Sequence, residues 1–303
     1  MLLSIYTFAR IANVYLKILH GNSAQHVLLI SHLKMSLFDF CFNFTSSKFR
    51  HDEEGVLQRA HDVNVNHFLV TGSDQDDSQY AIELAERYQN GMFATVGVHP
   101  HLAKNWQDNT QQTLRQLAQS NRVKAIGEAG LDYNRNFSTH EQQEHAFRKQ
   151  IELAIECQKP LFLHERDAHD AFYSIINDYK QDLGPTVVHC FTGDKEALEN
   201  YLAMDFYIGI TGWICDERRG THLHDLVSTI PQDRLLIETD APYLFPRTYQ
   251  PRPKNMCNEP SYLPHIAQHI AHHRGDSIES LSDYTMRNSL RFLGLTSEAN
   301  TGI

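Results

Sequence analysis

The chain lacks a glycine-rich dinucleotide fingerprint and a phosphate-cradling loop. Nothing in it therefore points to a nucleotide cofactor. It has no uninterrupted apolar run of membrane-span length, so no transmembrane helix is expected. It has no internal repeat and no low-complexity tract. Cysteine is sparse: Cys41, Cys157, Cys190, Cys215 and Cys257, an odd number without a close pair. That argues against a disulfide scaffold and a thiolate zinc site, and fits a reducing compartment. Positive charge is also short, with 27 Lys and Arg against 37 Asp and Glu and a formal charge of −10. Such a chain is a poor non-specific binder of nucleic acid by its field alone. A nuclease is not excluded, because an acidic metal site is itself anionic until cations bind.

What is present is apolar bulk and histidine. Of 303 residues, 41% are hydrophobic, enough for one large core or at most two domains. The histidines number 19, and most need no special role; His272-His273 reads as a polar helix edge. Residues 1–34 carry no acidic residue, and Arg10 interrupts their apolar character without a convincing cleavage site after it. They read either as a targeting or surface-associating segment or as sequence upstream of a true start at Met35. The second reading is favoured, because the regular pattern begins directly afterwards. The expected organisation is a leader over 1–34 and one hydrolase barrel over 35–303.

From Leu37 onward, short apolar runs alternate with helical spacing. Strands are expected at 37–42, 67–70, 92–98, 123–126, 160–163, 186–188, 206–210 and 234–237. Helices are expected at 53–63, 78–88, 110–118, 140–156, 168–178, 195–204 and 222–230, with two more at 261–273 and 278–293. Strand then helix, eight times in about 250 residues, predicts an α/β fold, a single (β/α)₈ TIM-type barrel. A doubly wound sheet would gather its ligands at one switch point. Here polar residues follow the first, third, fourth, fifth, sixth and eighth runs, which suits a ring. Residues 250–258 form a proline-rich basic loop, expected on the rim after the eighth strand.

The stretch Val123 to Asn134 carries the strongest chemical signal. An apolar strand passes into Gly127, Glu128, Ala129 and Gly130. A carboxylate at such a tip is costly unless it is paired. His164, His189 and Asp240 stand at three further tips. Two imidazoles and two carboxylates suit Zn²⁺, Mn²⁺ or, less typically, Mg²⁺. Glu128 or Asp240 could bridge two ions, and the expected work is hydrolysis. Asp240 could instead hold and deprotonate the attacking water, or cap a helix starting near Pro242. His99 and His101 are candidates to orient a phosphate or leaving group. Arg166 is a candidate for an anionic substrate, or for a salt bridge to Glu165 or Asp167. Glu259 is either a pocket residue or a helix-start carboxylate. Asp132 and Tyr133 are expected at the pocket mouth. Cys190 is expected to point away from it as buried filler.

Several motifs together resemble the TatD family of metal-dependent deoxyribonucleases. They are Val98-His99-Pro100-His101, Gly127-Glu128-Ala129-Gly130-Leu131-Asp132-Tyr133 and Leu163-His164-Glu165-Arg166. Val188-His189-Cys190-Phe191-Thr192-Gly193, Glu238-Thr239-Asp240-Ala241-Pro242-Tyr243-Leu244 and Asn258-Glu259-Pro260 follow in the same order. The resemblance spans about Leu37 to Leu295. It implies an amidohydrolase-type barrel whose metal ligands fall on Glu128, His164, His189 and Asp240. It further implies a cytoplasmic, Mg²⁺-dependent enzyme with 3′→5′ exonuclease action on single-stranded DNA or RNA ends, linked to DNA repair. Most of the wider family carries His-x-His after the first strand; this chain has Cys41-Phe42-Asn43, which looks like the TatD-proper branch. Asn43 is then at best a weak metal ligand, and one firm ion with a weaker second is expected. A monomer without membrane association is expected. The competing readings are a metal hydrolase of another ester or amide bond, and a non-catalytic binding protein. Basic residues converging on the rim, Arg166, Arg247 and Arg252 above all, would favour the phosphodiester; an apolar rim would favour another bond.

Overall fold

The eight apolar runs become eight parallel strands: β1 (Leu37–Phe42), β2 (Val65–Val70), β3 (Met92–Val96), β4 (Val123–Asp132), β5 (Leu161–Arg166), β6 (Thr186–His189), β7 (Tyr207–Ile210) and β8 (Leu235–Ile237). They pair in chain order as one sheet that curls into a nearly closed barrel. The computed structural model of the chain describes residues 36–295; the leader reading of residues 1–34 falls outside them. The helices between strands are α1 (Glu53–His61), α2 (Gln75–Tyr88), α3 (Thr110–Leu117), α4 (His140–Cys157), α5 (His169–Asp178), α6 (Lys195–Ala203) and the short α7 (Leu223–Leu226). Two more, α8 (Leu263–Arg274) and α9 (Ile278–Phe292), complete the described chain. Side-chain caps fix several starts: Asp74 accepts from the Asp77 amide, and Thr139 and Gln142 form a reciprocal capping box at α4. No described helix is long and apolar enough to cross a membrane.

Two elements depart furthest from the sequence reading. The fourth strand does not stop at Ile126 but runs on to Asp132. Glycine normally marks a strand end, yet here it permits continuation. Gly127 and Gly130 take φ of 127° and 141°, and a Cβ on either would lie 1.9 Å from the Phe162 or His164 carbonyl oxygen. The second departure is the helix expected over 222–230. It survives only as α7 and one 3₁₀ turn, Val227–Thr229. Pro231 disfavours helical geometry at Ile230, whose ψ is 124°.

The barrel axis is filled. Phe292 of α9 meets Phe40 edge-on at 5.3 Å and Tyr207, the first residue of β7, at 5.3 Å. Phe40 lies 6.3 Å from Phe162, and Phe162 stacks on the His189 ring at 4.8 Å. This aromatic column runs from α9 to the strand tips. Each such ring contributes roughly 1.5–3 kcal/mol by burial.

The seam between β1 and β8 closes differently from the other joints. Beyond the end of β8, Asn43 N donates to Ala241 O and Asp240 N to Cys41 O, both at 2.9 Å. Below them the fully buried Asp39 carboxyl accepts from Thr239 N at 2.8 Å, and its other oxygen lies 2.5 Å from Thr239 Oγ1. Burial, against the bonds from Thr239, pushes Asp39 up to about 8. A carboxyl whose folded pKa is raised stabilises the fold fully below its unfolded pKa, and loses that contribution as pH rises through the folded value. Asp39→Asn keeps an acceptor and a donor and cannot ionise. In chelator-treated protein, wild type is expected to lose melting temperature relative to Asp39→Asn as pH rises from about 4 to about 8, with no further loss above that. Asp39→Ala should cost about 1–3 kcal/mol, because it leaves the Thr239 groups unpaired. Parallel melting profiles for wild type and the Asn variant would contradict a raised Asp39.

Candidate active site

The register of the parallel strands brings the sequence candidates together. His164 of β5 pairs with Gly130 on one side and His189 of β6 on the other. The bend at Gly127 and Gly130 turns Glu128 toward them. Its Oε1 lies 2.9 Å from His189 Nε2, 3.3 Å from His164 Nδ1 and 3.3 Å from His99 Nε2. One carboxylate oxygen thus gathers three imidazoles. Burial works to raise Glu128, but the His99 and His189 rings and bonds from His164 and His189 outweigh it and hold the carboxyl well below the usual range. Burial likewise opposes charge on His189, yet Glu128 and Glu238 raise it well above its ordinary value. His99 is the reverse case: burial beats the attraction of Glu128 and pushes it down to about 4.

Asp240 follows β8 in a left-handed conformation, φ 58°, and lines the same cleft. No helix starts near Pro242, so the helix-cap reading of Asp240 is corrected. Its Oδ1 accepts from Asn43 Nδ2 at 2.9 Å. Burial, resisted by His189 and reinforced by Glu128, pushes Asp240 up to about 6. Asn43 is a positioning group in this arrangement, since its oxygen accepts from Thr71 Oγ1 at 2.9 Å while its amide serves Asp240. Cys41 is fully buried, and burial followed by the Asp240 charge raises its thiol well above the usual value.

The cleft above these groups has a volume of about 880 Å³. His99, His101, Glu128, His164, Arg166, His189 and Asp240 all line it. His101 Nε2 lies 2.7 Å from Asp132 Oδ2, which also accepts from Arg135 at 2.7 Å. Asp132 is fully buried and Tyr133 stacks on His140 at 3.5 Å, so neither forms the mouth as expected. Arg166 donates to Thr192 Oγ1 at 2.7 Å, and its guanidinium sits over Trp213 at 4.7 Å. Glu259 does not join the cleft: Arg59 takes both its oxygens, at 2.7 and 3.0 Å. Arg247 and Arg252 are likewise not cleft residues; they face Asp216 at 3.8 Å and Glu217 at 4.0 Å.

Cys190 overturns the filler reading. The alternation rule holds only for an extended chain, and Cys190 has φ 46° and lines the cleft. That turn lets its backbone N–H donate to Glu238 Oε1 at 2.5 Å. Glu238 was visible only as a neighbour of Asp240, yet it is fully buried 3.7 Å from His189 Nδ1. The carboxylates of Asp77 and Glu165 also line the cleft, as do Lys48, Arg135, Arg219, Trp213, Phe137 and Tyr243. The loops of these last six have no periodicity from which the sequence could place them.

The donor set fits a divalent cation. Glu128, Glu238 and Asp240 converge with no Lys or Arg ion pair among the described residues, and His164 Nε2, His189 Nδ1 and Glu238 Oε2 are buried without hydrogen-bond partners. Two groups there, His99–Glu128–His164 and Cys41–His189–Glu238, each place ligand atoms within 4.8 Å of one another. A (β/α)₈ barrel with carboxylates and imidazoles clustered at its strand tips defines a metal-dependent hydrolase. The chain belongs to the TatD related DNase family, whose model matches residues 38–294. That membership implies a divalent metal.

A relative from Pantoea sp. (strain At-9b), named 3′-5′ ssDNA/RNA exonuclease TatD, is 49% identical over 259 residues, covering 86% of this chain and 100% of the relative. Among solved structures, a TatD homolog from Escherichia coli k12 superposes with a TM-score of 0.78 at 26% identity, over 86% of this chain and 98% of that one. A TatD family hydrolase from Entamoeba histolytica gives 0.78 at 27% identity, over 86% and 99%.

Proposed function

We propose that this protein is a metal-dependent exonuclease that removes nucleotides from the 3′ end of single-stranded DNA or RNA. One observation carries the substrate class. In a chain of net charge −10, Lys48, Arg166 and the ion-paired Arg135 and Arg219 are set around the cleft that holds Glu128 and Asp240. A polyanion is the ligand that such a rim draws toward an acidic centre. This rim does not favour the reading as a hydrolase of apolar esters or amides. The 3′→5′ direction rests on the names of the relatives.

Glu128, His164, His189 and Asp240 would hold the metal, with Mg²⁺ proposed on the strength of the two carboxylates. A bound divalent cation polarises a non-bridging phosphate oxygen and lowers the pKa of water. The protein's own groups do the rest. Asn43 occupies one oxygen of Asp240, leaving Oδ2 to accept the proton of the attacking water. Glu128 holds three imidazoles in place, and Phe162 beneath His189 fixes the plane of that ring. His101, tied to Asp132, and Arg166, braced by Thr192 and Trp213, hold the terminal phosphate. Glu259 has no part in this reading. The five described cysteines are all free, which supports action in the reducing cytoplasm, where strand ends arise in repair.

The test is chelator-treated protein titrated with Mg²⁺, Mn²⁺ and Zn²⁺ against single strands labelled at either end. Release of mononucleotides should be absent without metal, return with Mg²⁺, and consume the 3′ label first. Hydrolysis that survives chelation would overturn the metal dependence. Release starting at the 5′ end would overturn the direction.

A further inference from the structure

A second group of three imidazoles lies outside the cleft. His224 comes from α7; His269 and His273 come from α8, four residues apart and so on one face. None of the three lines the catalytic cleft. One ring nitrogen from each falls within 4.8 Å of the others. The His224 and His273 rings stack with centroids 3.8 Å apart, and His269 approaches them at 5.4 and 4.9 Å. His273 is therefore not the simple polar helix edge that His272-His273 suggested.

The hydrogen bonding prepares these rings for a ligand. His224 Nε2 lies 3.0 Å from the Ile214 carbonyl oxygen, which can only accept. In the neutral ring Nε2 therefore carries the hydrogen, which leaves the lone pair on Nδ1. Metal-binding histidines are oriented in this way, by donating their other N–H to a carbonyl or carboxylate. His269 Nε2 is buried and has no hydrogen-bond partner among the described residues. Burial, then the neighbouring His273 and His224 rings, pushes His269 down to about 4, and burial also lowers His273. Near neutral pH both rings are uncharged, the form that binds a metal. The two helices are also clamped together. Arg274, directly after His273, donates to the carbonyls of Val227 at 2.5 Å and Ile230 at 2.8 Å, just beyond α7.

We propose that His224, His269 and His273 form a second metal site, selective for Zn²⁺ or a similar transition-metal ion, on the outer face of the barrel. The ligand set decides the selectivity. Three neutral nitrogens with no carboxylate suit Zn²⁺, Ni²⁺ or Cu²⁺ and leave Mg²⁺ without its preferred oxygens. Zinc–nitrogen bonds of about 2.0–2.1 Å lie in the plane of each ring, so binding requires His273 to turn out of its stack on His224, with a fourth position open to water. Occupancy has a structural consequence as well. A cation at Nδ1 makes the opposite N–H a stronger donor, tightening the His224 bond to Ile214. That residue adjoins Trp213 in the 3₁₀ turn Gly212–Cys215, and Trp213 forms part of the cleft wall.

The experiment separates this site from the cleft. A protein carrying Glu128→Gln, His189→Gln and Asp240→Asn is stripped with chelator, reloaded with Zn²⁺ and gel-filtered, and the metal per chain is measured. A parallel titration follows the visible absorption of Co²⁺. One retained equivalent of Zn²⁺ and a four-coordinate Co²⁺ spectrum are expected, unaffected by excess Mg²⁺. Adding His273→Gln or His269→Gln should weaken that binding by roughly 10–100-fold or more. His273 is the more tolerant position should the buried His269 variant fail to fold. No retained Zn²⁺ in the cleft variant, or equal retention with and without His273→Gln, would overturn the proposal.

Discussion

Glu128→Gln or Asp240→Asn should each lower kcat by at least about 100-fold, roughly 3 kcal/mol of transition-state stabilisation. Both changes preserve shape and remove charge. Glu128 Oε1 is the atom on which His99, His164 and His189 converge, so its charge organises three rings at once. Asp240 loses the basicity that a proton acceptor needs while keeping its partner Asn43. Strand affinity should hold or tighten, because an anionic ligand sheds a like charge nearby. Single-turnover release of mononucleotides, measured beside equilibrium strand binding, distinguishes the two effects. Near-wild-type turnover in either variant would remove that carboxylate from the reaction.

A double variant, Phe137→Ala with Tyr243→Ala, should weaken single-strand binding substantially, with KM rising more than kcat falls. Phe137 and Tyr243 are the exposed large hydrophobic side chains of the described structure, 59% and 55% accessible, and both lie on the cleft. Isolated exposure of aromatics at a site's mouth makes sense when bases stack on them, each worth about 1–3 kcal/mol. Phe137 stands edge-on to His101 at 4.9 Å, and Lys48 Nζ sits 5.9 Å above the Tyr243 ring. Each aromatic therefore adjoins a group suited to a phosphate. The expected loss for the double variant is about 10-fold at the least and beyond 100-fold if both stacks are complete. An abasic strand, having no base to stack, should bind wild type and variant alike. Equal losses on normal and abasic strands would show that the rings act only through the shape of the rim.

The strand tips were legible because barrel chemistry and apolar periodicity mark the same positions. Glu128, His164, His189 and Asp240 each follow an apolar run, and parallel pairing then places them side by side. What escaped depends on contacts between residues far apart in the chain. Asp39 reads as a stray acid within an apolar strand until Thr239 is beside it. Glu259 reads as a site residue until Arg59 is seen to hold it. His269 and His273 stand four apart on one helix, yet in the sequence alone His272-His273 reads as a polar edge, and His224 has no local signal. Backbone turns account for a further set. Glycine at 127 and 130 suggested that the fourth strand ended, whereas the close approach of β5 is what requires glycine there. The left-handed Cys190 broke the alternation that had assigned its side chain to the core.

The aromatic column beneath His189 has a consequence for traffic. Phe162, Phe40 and Phe292 block passage along the barrel axis, so the cleft has no rear exit. A freed nucleotide must leave by the opening through which the strand entered. Successive removal of nucleotides then requires the shortened strand to yield the doorway while remaining tethered. The outer wall, with Trp213, Phe137 and Tyr243, is where that tether has to be. How many residues are removed per encounter is set by the grip of this wall against the escape of product, and the buried ligands have no say in it.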